Sequence, residues 1–210
     1  KIDVIKGWAK IQGPGKITVD SKTYHCNSII IATGSEPSSL GDLKIDEKKI
    51  VTSTGALALN KIPEKFTIVG AGVIGLELGS VYARLGSDVT VIEYLDEITP
   101  GLDMETAKAF RKILTKQGIK FILGAAVKNA KKSGSKQIVN YQLIKSKTNE
   151  RLETDLILVA TGRKPFTEGL NLNGAGIELN HYGQIKTDEN LQTTIEGIYA
   201  IGDVISGPML

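Results

Sequence analysis

The sequence predicts an α/β fold: a three-layer unit with a parallel sheet and an antiparallel meander. Three observations carry that prediction. Two short runs, Phe66 to Val69 and Val89 to Ile92, are rich in β-branched residues and too short to stand as helices, so they read as buried parallel strands. Between them, TIVGAGVIGLEL places Gly70, Gly72 and Gly75 where a strand passes into a helix. The second run ends in a carboxylate, Glu93.

The elements follow in order. In residues 1–31, Lys16 to Val19 and Ile29 to Ile31 flank the turn-rich GPG and HCNS segments, which predicts antiparallel pairing. Residues 36–60, with Pro37, Ser38, Ser39 and Gly41, read as a connecting segment. Next come the strand to Val69, a helix from Val73 to Leu85, Gly86 as its stop, and the strand 89–92. Asp103 is placed to cap a second helix with Ala107, Phe110, Ile113 and Leu114 on one face and Gly118 closing it. A third strand is expected at Lys120 to Leu123. The basic, alternating stretch from Val127 to Leu152 reads as an antiparallel meander with turns at SGS and KTNE, and a strand at Leu156 to Ala160 follows.

The glycine spacing has a physical reason. Gly70 permits a tight turn, Gly72 lets the backbone approach a pyrophosphate, and Gly75 lets helix and sheet pack closely, with Gly79 tightening that packing one turn later. Bare N–H groups at the helix start and the positive end of its dipole favour phosphate. Glu93 follows Gly75 by 18 residues, placed to accept hydrogen bonds from a ribose diol and to repel the 2′-phosphate of NADP. Three such glycines alone are weak evidence. With strand, helix, second strand and terminal acid in order, they predict a Rossmann-like NAD-binding domain.

Composition narrows the alternatives. The chain has 210 residues, 41% of them apolar and 23% charged, with a net charge of +3. That is one or two soluble domains with enough length for a core. Lys131, Lys132, Lys145 and Lys147 read as solvated faces and loops, with no interleaved aromatics to suggest nucleic-acid binding. No apolar run reaches the roughly 20 residues that span a membrane. The single cysteine, Cys26, permits no intrachain disulfide. His25 beside it would point to the opposite face of a strand, and His181 sits in the polar turn NHYGQ, so neither reads as catalytic and no metal site is expected. The chain opens without Met and stops at ISGPML directly after a motif, so an excised piece of a longer protein is expected.

Two phrases repeat: IIIATGS at 29–35 and LILVATGRKP at 156–165. Each is an apolar strand ending in Ala-Thr-Gly, so two sheets of similar design could each finish a strand at a cofactor. In IYAIGDVISGPML a short strand ends at Gly202 and exposes Asp203, at the strand end where open α/β sheets bind ligands. Taken alone, Asp203 reads equally well as a turn residue or helix cap.

Together, GAGVIGLELGSV, the two ATG phrases and AIGDVISGPML resemble the two-dinucleotide flavoprotein disulfide reductases, most closely those that oxidise dihydrolipoamide. The resemblance extends to KGWAKI near the start and STGALAL at 53–59, and covers essentially the whole chain. It implies an NAD domain at 60–178 inserted into an FAD domain, of which 1–59 and 179–210 are the later part and the return segment. It implies that Gly7 and Ala9 border the FAD adenine and that Thr33, Gly34 and Ser35 pass its phosphate and ribose. Asp203 would hold the ribityl hydroxyls, with Met209 and Leu210 beside the flavin. For NAD, it assigns Gly70, Ala71, Gly72, Val73, Ile74, Gly75, Leu76 and Glu77 to the phosphate loop, Glu93 to the ribose, Val127 to the adenine and Gly162 to the nicotinamide half. Glu77 resembles a family glutamate that helps orient the nicotinamide.

The resemblance further implies dihydrolipoamide on a lipoyl domain of a 2-oxoacid dehydrogenase complex as the partner. It implies a homodimer formed through a domain outside this chain, and a soluble enzyme of the mitochondrial matrix or bacterial cytoplasm. The chain departs from the family in lacking the redox-active cysteine pair, the His-Glu pair and the first FAD-binding βαβ unit, so this piece alone is expected to be inactive. An NADPH-dependent member is opposed by the acid at Glu93. A non-catalytic dinucleotide-binding module is the reading from another class.

Overall fold

The segments Phe66–Val69, Val89–Ile92 and Leu156–Val159 carry no charged residue, and such runs are stable as strands only in a sheet covered on both faces. The computed structural model, which describes residues 1–207 and 209, has them so. In chain order the elements are β1 (Ala9–Gly13), β2 (Lys16–Val19), β3 (Lys22–His25), β4 (Ile29–Ile31), β5 (Ser35–Pro37), β6 (Ile50–Val51), α1 (Ser53–Leu57), β7 (Lys65–Val69), α2 (Val73–Arg84), β8 (Asp88–Ile92), α3 (Met104–Lys116), β9 (Lys120–Ile122), β10 (Ala125–Ser133), β11 (Lys136–Leu143), β12 (Asn149–Thr154), β13 (Leu156–Val159), β14 (Arg163–Pro165) and β15 (Ile198–Ala200). They form two compact units: residues 37–162, and residues 1–36 with 163–210. The 59/60 and 178/179 boundaries that the resemblance implies differ from these: β6 pairs with β13 in the sheet of the continuous unit, and β14 pairs with β5.

That unit is built on a parallel sheet of order β6-β13-β7-β8-β9. Side chains alternate between its faces. Phe66, Ile68, Val89, Val91, Leu156 and Leu158 pack with Leu76 and Tyr82 of α2 and Leu114 of α3, while Val69, Ile92, Ile157 and Val159 pack with Ala125 and Val139 of the antiparallel meander β10-β11-β12. Helices therefore cover one face and the meander the other. From β7 the chain runs outward through β8 to β9, and β13 and β6 fill the opposite side, so the strand order reverses at β7. Ligands of open α/β sheets bind beyond the carboxyl ends of the strands at such a reversal.

Helix α2 begins at Gly72 and ends at its cap Leu85, with Gly86 at φ +101° turning the chain out. Asp103 caps α3, its carboxylate accepting the N–H groups of Glu105 and Thr106 at 3.0 Å each. The buried stripe of α3 is narrower than expected. Ala107 and Leu114 are in the core, whereas Phe110 and Ile113 are exposed. The expected connecting segment 36–60 holds β6, which pairs with β13, and the short helix α1, capped by Thr52.

In the other unit, β1, β2 and β3 form an antiparallel sheet, and β5 pairs with β14. Strand β4 corrects the antiparallel pairing expected within residues 1–31: it runs parallel to β15, with Ile29 opposite Ile198 and Ile31 opposite Ala200. Its alternate residues Ile29 and Ile31 are buried with Ile198, Ala200, Ile177 and Ile185, and this core, not the nearby turn, selects the partner.

Candidate functional site

In the continuous unit, the turn after β7 has the conformation its glycines allow. Gly70 sits at φ +104°, donates its N–H to the Ile92 carbonyl at 2.9 Å, and has the Ala160 carbonyl where a Cβ would stand. A Cβ at Gly75 would strike the Gly70 carbonyl and lie 3.1 Å from Ile68 Cγ2, and one at Gly79 would lie 2.9 Å from Ile68 Cδ1. These two glycines bring α2 onto the sheet. Gly72 differs from them: a Cβ there would meet nothing within 4 Å, and as N-cap it offers no side chain to the first-turn amides. A cradle of bare amides with open space over its glycine suits a pyrophosphate.

Among the other residues assigned to the phosphate loop, Ala71 is fully buried, Val73 is exposed and Ile74 half-buried. The Leu76 side chain lies in the core, and Glu77 is exposed on a groove shared with Val73, Ser80 and Phe110.

Glu93 stands just past β8 and is only 8% exposed. One carboxylate oxygen accepts the Ala71 N–H at 2.6 Å and the other the Leu95 N–H at 2.9 Å. Each oxygen keeps a second lone pair, so the acid joins the glycine turn to the strand end and retains capacity for a diol. Val127 is half-buried on β10 at a bulge, opposite Tyr141. Burial, with Glu150 nearby, pushes the Tyr141 phenol up from its ordinary value, so it stays a neutral donor. Gly162, at φ +133°, follows β13, and its carbonyl accepts the Ser38 N–H at 3.0 Å. The carboxyl ends of β7, β8 and β13 thus carry Gly70, Glu93 and the second Ala-Thr-Gly phrase respectively.

In the other unit, the first Ala-Thr-Gly phrase follows β4. The Thr33 hydroxyl donates to the Phe166 carbonyl at 2.6 Å, and Gly34, at φ +70°, has open space where a Cβ would stand. The Ser35 hydroxyl donates to Asp203 Oδ2 at 2.6 Å. Arg163 meets the same serine twice, Nε donating to its hydroxyl and Nη2 to its carbonyl, both at 2.6 Å. A cation, a hydroxyl and a carboxylate are thereby linked in series at the ends of β4 and β15. Arg163 belongs to the ATGRKP phrase, yet nothing in its spacing there points to Ser35 or Asp203. Ala9 pairs with Val19 in β1, after Gly7 at φ +151°. Met209 is half-buried, and Leu210 lies outside the described residues.

Cys26, His25 and His181 are all exposed. Among the described residues no group of three or more His, Cys, Asp or Glu could hold a metal ion, and no helix is long and apolar enough to cross a membrane.

Against known proteins, the family described as pyridine nucleotide-disulphide oxidoreductase matches residues 1–210. A Dihydrolipoyl dehydrogenase 3 of Pseudomonas putida is 47% identical over all of this chain and 46% of its own length. A mitochondrial dihydrolipoyl dehydrogenase of Pisum sativum is 46% identical, with 43% of its length covered. The chain thus spans somewhat under half the length of the curated relatives it matches. Among solved structures, the HOCl-induced flavoprotein disulfide reductase RclA of Escherichia coli superposes with a TM-score of 0.90 at 32% identity, over 99% of this chain and 47% of that one.

Proposed function

The chain belongs to the pyridine nucleotide-disulphide oxidoreductase family, and from that premise we propose that it is the NAD-binding domain and part of the FAD-binding domain of an NAD-dependent dihydrolipoamide dehydrogenase. The overall reaction would convert dihydrolipoamide and NAD+ into lipoamide, NADH and a proton. The observation that carries the nicotinamide site is the pairing of open space at Gly72 with a carboxylate at Glu93. In this reading the amides from Gly72 to Gly75 hold the pyrophosphate. Glu93 accepts from the ribose diol and excludes a 2′-phosphate, Val127 packs on the adenine, and Glu77 and Gly162 border the nicotinamide.

The residues of the other unit fit a flavin dinucleotide. Asp203, fixed by Ser35 and Arg163, offers a carboxylate to ribityl hydroxyls. Thr33, Gly34 and Ser35 lie along the phosphates and Ala9 near the adenine, and Met209 with Leu210 would border the flavin. Bound FAD and NAD would supply the electron and hydride chemistry. This chain's own part is to bind and orient them, since its single exposed cysteine cannot form a redox pair.

The thiol chemistry and the homodimer interface belong, in this proposal, to sequence outside these 210 residues. The substrate would arrive on a lipoyl domain of a 2-oxoacid dehydrogenase complex. The compartment would be the mitochondrial matrix for a eukaryotic source and the cytoplasm for a bacterial one. The test is calorimetric titration of the chain with NADH and, separately, NADPH. Saturable NADH binding with much weaker NADPH binding is expected. Binding of neither overturns the site.

A further inference from the structure

Between Glu93 and the α3 cap Asp103, the chain returns to the glycine turn and is tied to it. Both polar groups of Ala71 are taken from this side: its N–H by Glu93 at 2.6 Å, and its carbonyl by the Thr99 N–H at 2.8 Å. Thr99 makes that contact at a cost. Its φ of +49° is a left-handed conformation that β-branched residues avoid, and its buried hydroxyl has no hydrogen-bond partner among the described residues. A conformation so unfavourable persists only where its surroundings enforce it.

Two neighbours can enforce it. Ile98 is 1% exposed and packs in the core with Leu76 and Leu114. Glu97 is held in a fork by Arg111 of α3, Nε meeting Oε1 at 2.7 Å and Nη2 meeting Oε2 at 3.1 Å, and Oε1 also accepts the Ile98 N–H at 3.1 Å. The Glu97 side chain is 11% exposed and that of Arg111 is 38% exposed. With Glu97 mostly buried and Arg111 partly open to solvent, attraction and desolvation largely offset each other and the pair's net contribution to global stability is modest. Its two-point geometry, however, fixes where residue 97 sits, because a guanidinium fork matches a carboxylate in one plane.

We propose that the Arg111–Glu97 pair is a positioning element of the dinucleotide site. It clamps residues 97–99, Thr99 in turn holds the Ala71 carbonyl, and the amides that follow keep the direction a pyrophosphate requires. Neither Arg111 nor Glu97 contacts the glycine turn in this scheme; both act through Thr99. The inference rests on reading that turn as the nicotinamide dinucleotide site.

The experiment compares the 210-residue chain with its Arg111→Gln, Arg111→Lys, Glu97→Gln and doubly substituted (Glu97→Gln, Arg111→Gln) forms. It measures NADH binding by calorimetry, thermal melting, and amide hydrogen exchange at Ala71 and Thr99. Arg111→Gln is expected to weaken NADH binding about tenfold, less than the roughly 10²-fold that an ångström of misplacement costs at a reacting centre. Its melting should scarcely change, exchange at both amides should rise, and the double variant should be no worse than either single one. Arg111→Lys, which keeps the charge and loses the fork, should fall between.

Unchanged NADH affinity and exchange in variants of a chain that binds NADH would overturn the clamp alone and leave Ile98 as the sole anchor. A parent chain that binds no NADH would overturn the site and the clamp together. Should Arg111→Gln unfold, Arg111→Lys decides by its affinity and its exchange at the same two amides.

Discussion

The Glu93 carboxylate accepts the Ala71 N–H at 2.6 Å across 22 residues of sequence, so the acid at the end of β8 and the glycine turn at the end of β7 are one structure. Substitutions at Glu93 therefore act on both. Glu93→Gln keeps an acceptor for one of the two backbone amides and removes the charge, so the ratio of NADPH to NADH affinity should rise with modest loss of NADH binding. Glu93→Arg should raise that ratio further, at a stability cost of about 1–3 kcal/mol for backbone groups left unpaired. Titration with each nucleotide measures the ratio, and an unmoved ratio removes Glu93 as the selector.

Gly72 and Gly75 are expected to separate binding from folding. Gly72 has φ −76° and open space where an added methyl would stand, so Gly72→Ala should leave the melting temperature nearly unchanged and abolish most NADH binding. Gly75→Ala places its methyl against the Gly70 carbonyl and Ile68, so overpacking should cost roughly 1–3 kcal/mol whatever the ligand. Thermal melts with and without NADH distinguish the two. Full NADH affinity in Gly72→Ala would mean that nothing approaches that backbone.

Ser35 links Arg163 to Asp203 through one hydroxyl. Ser35→Ala should lower flavin content per protein after incubation with FAD, while the fold loses only about 1 kcal/mol. Flavin absorbance set against protein concentration gives the result. Equal content in the variant would show that Asp203 holds its position without the serine.

Asp155 sets an acid limit. Burial raises its carboxyl, but Lys136 at 2.6 Å and the Lys65 N–H at 2.8 Å outweigh that and hold it below the ordinary 3.8. A carboxylate depressed in the folded state stabilises it above the unfolded value, and that contribution disappears as pH falls through the folded one. The gap in melting temperature between the parent chain and Asp155→Asn should therefore be widest near neutrality and close below about pH 4. A gap independent of pH would assign the role to shape and not charge.

What could be read from the chain was local. Gly70, Gly75 and Gly79 announce a strand, a tight turn and a closely packed helix because each constraint lies within a few residues of its cause, and Asp103 caps α3 for the same reason. Pairings made across the chain left no such mark. Ile29–Ile31 looks like a hairpin partner of its neighbours until the shared core with Ile198 and Ala200 selects a distant strand. Ile50–Val51 is too short to show a period, and it joins the sheet only because β13 supplies an edge. Around the candidate site, Arg163, Glu97, Thr99 and Arg111 are silent in the sequence because their significance lies in contacts, and none of the four stands in a spacing that implies its partner.

The division of the chain also sets an order of assembly. Residues 37–162 hold every strand of their own sheet, so this unit is complete once Val159 has been made. Residues 1–36 have no such independence, because β4 must wait for β15. At a synthesis rate of about 5–20 residues per second, β4 stays without β15 for roughly 10–30 s while the intervening residues are made. During that interval Ile29 and Ile31 lack the strand with which they are buried, so the pairing of β4 with β15 is a late step of assembly.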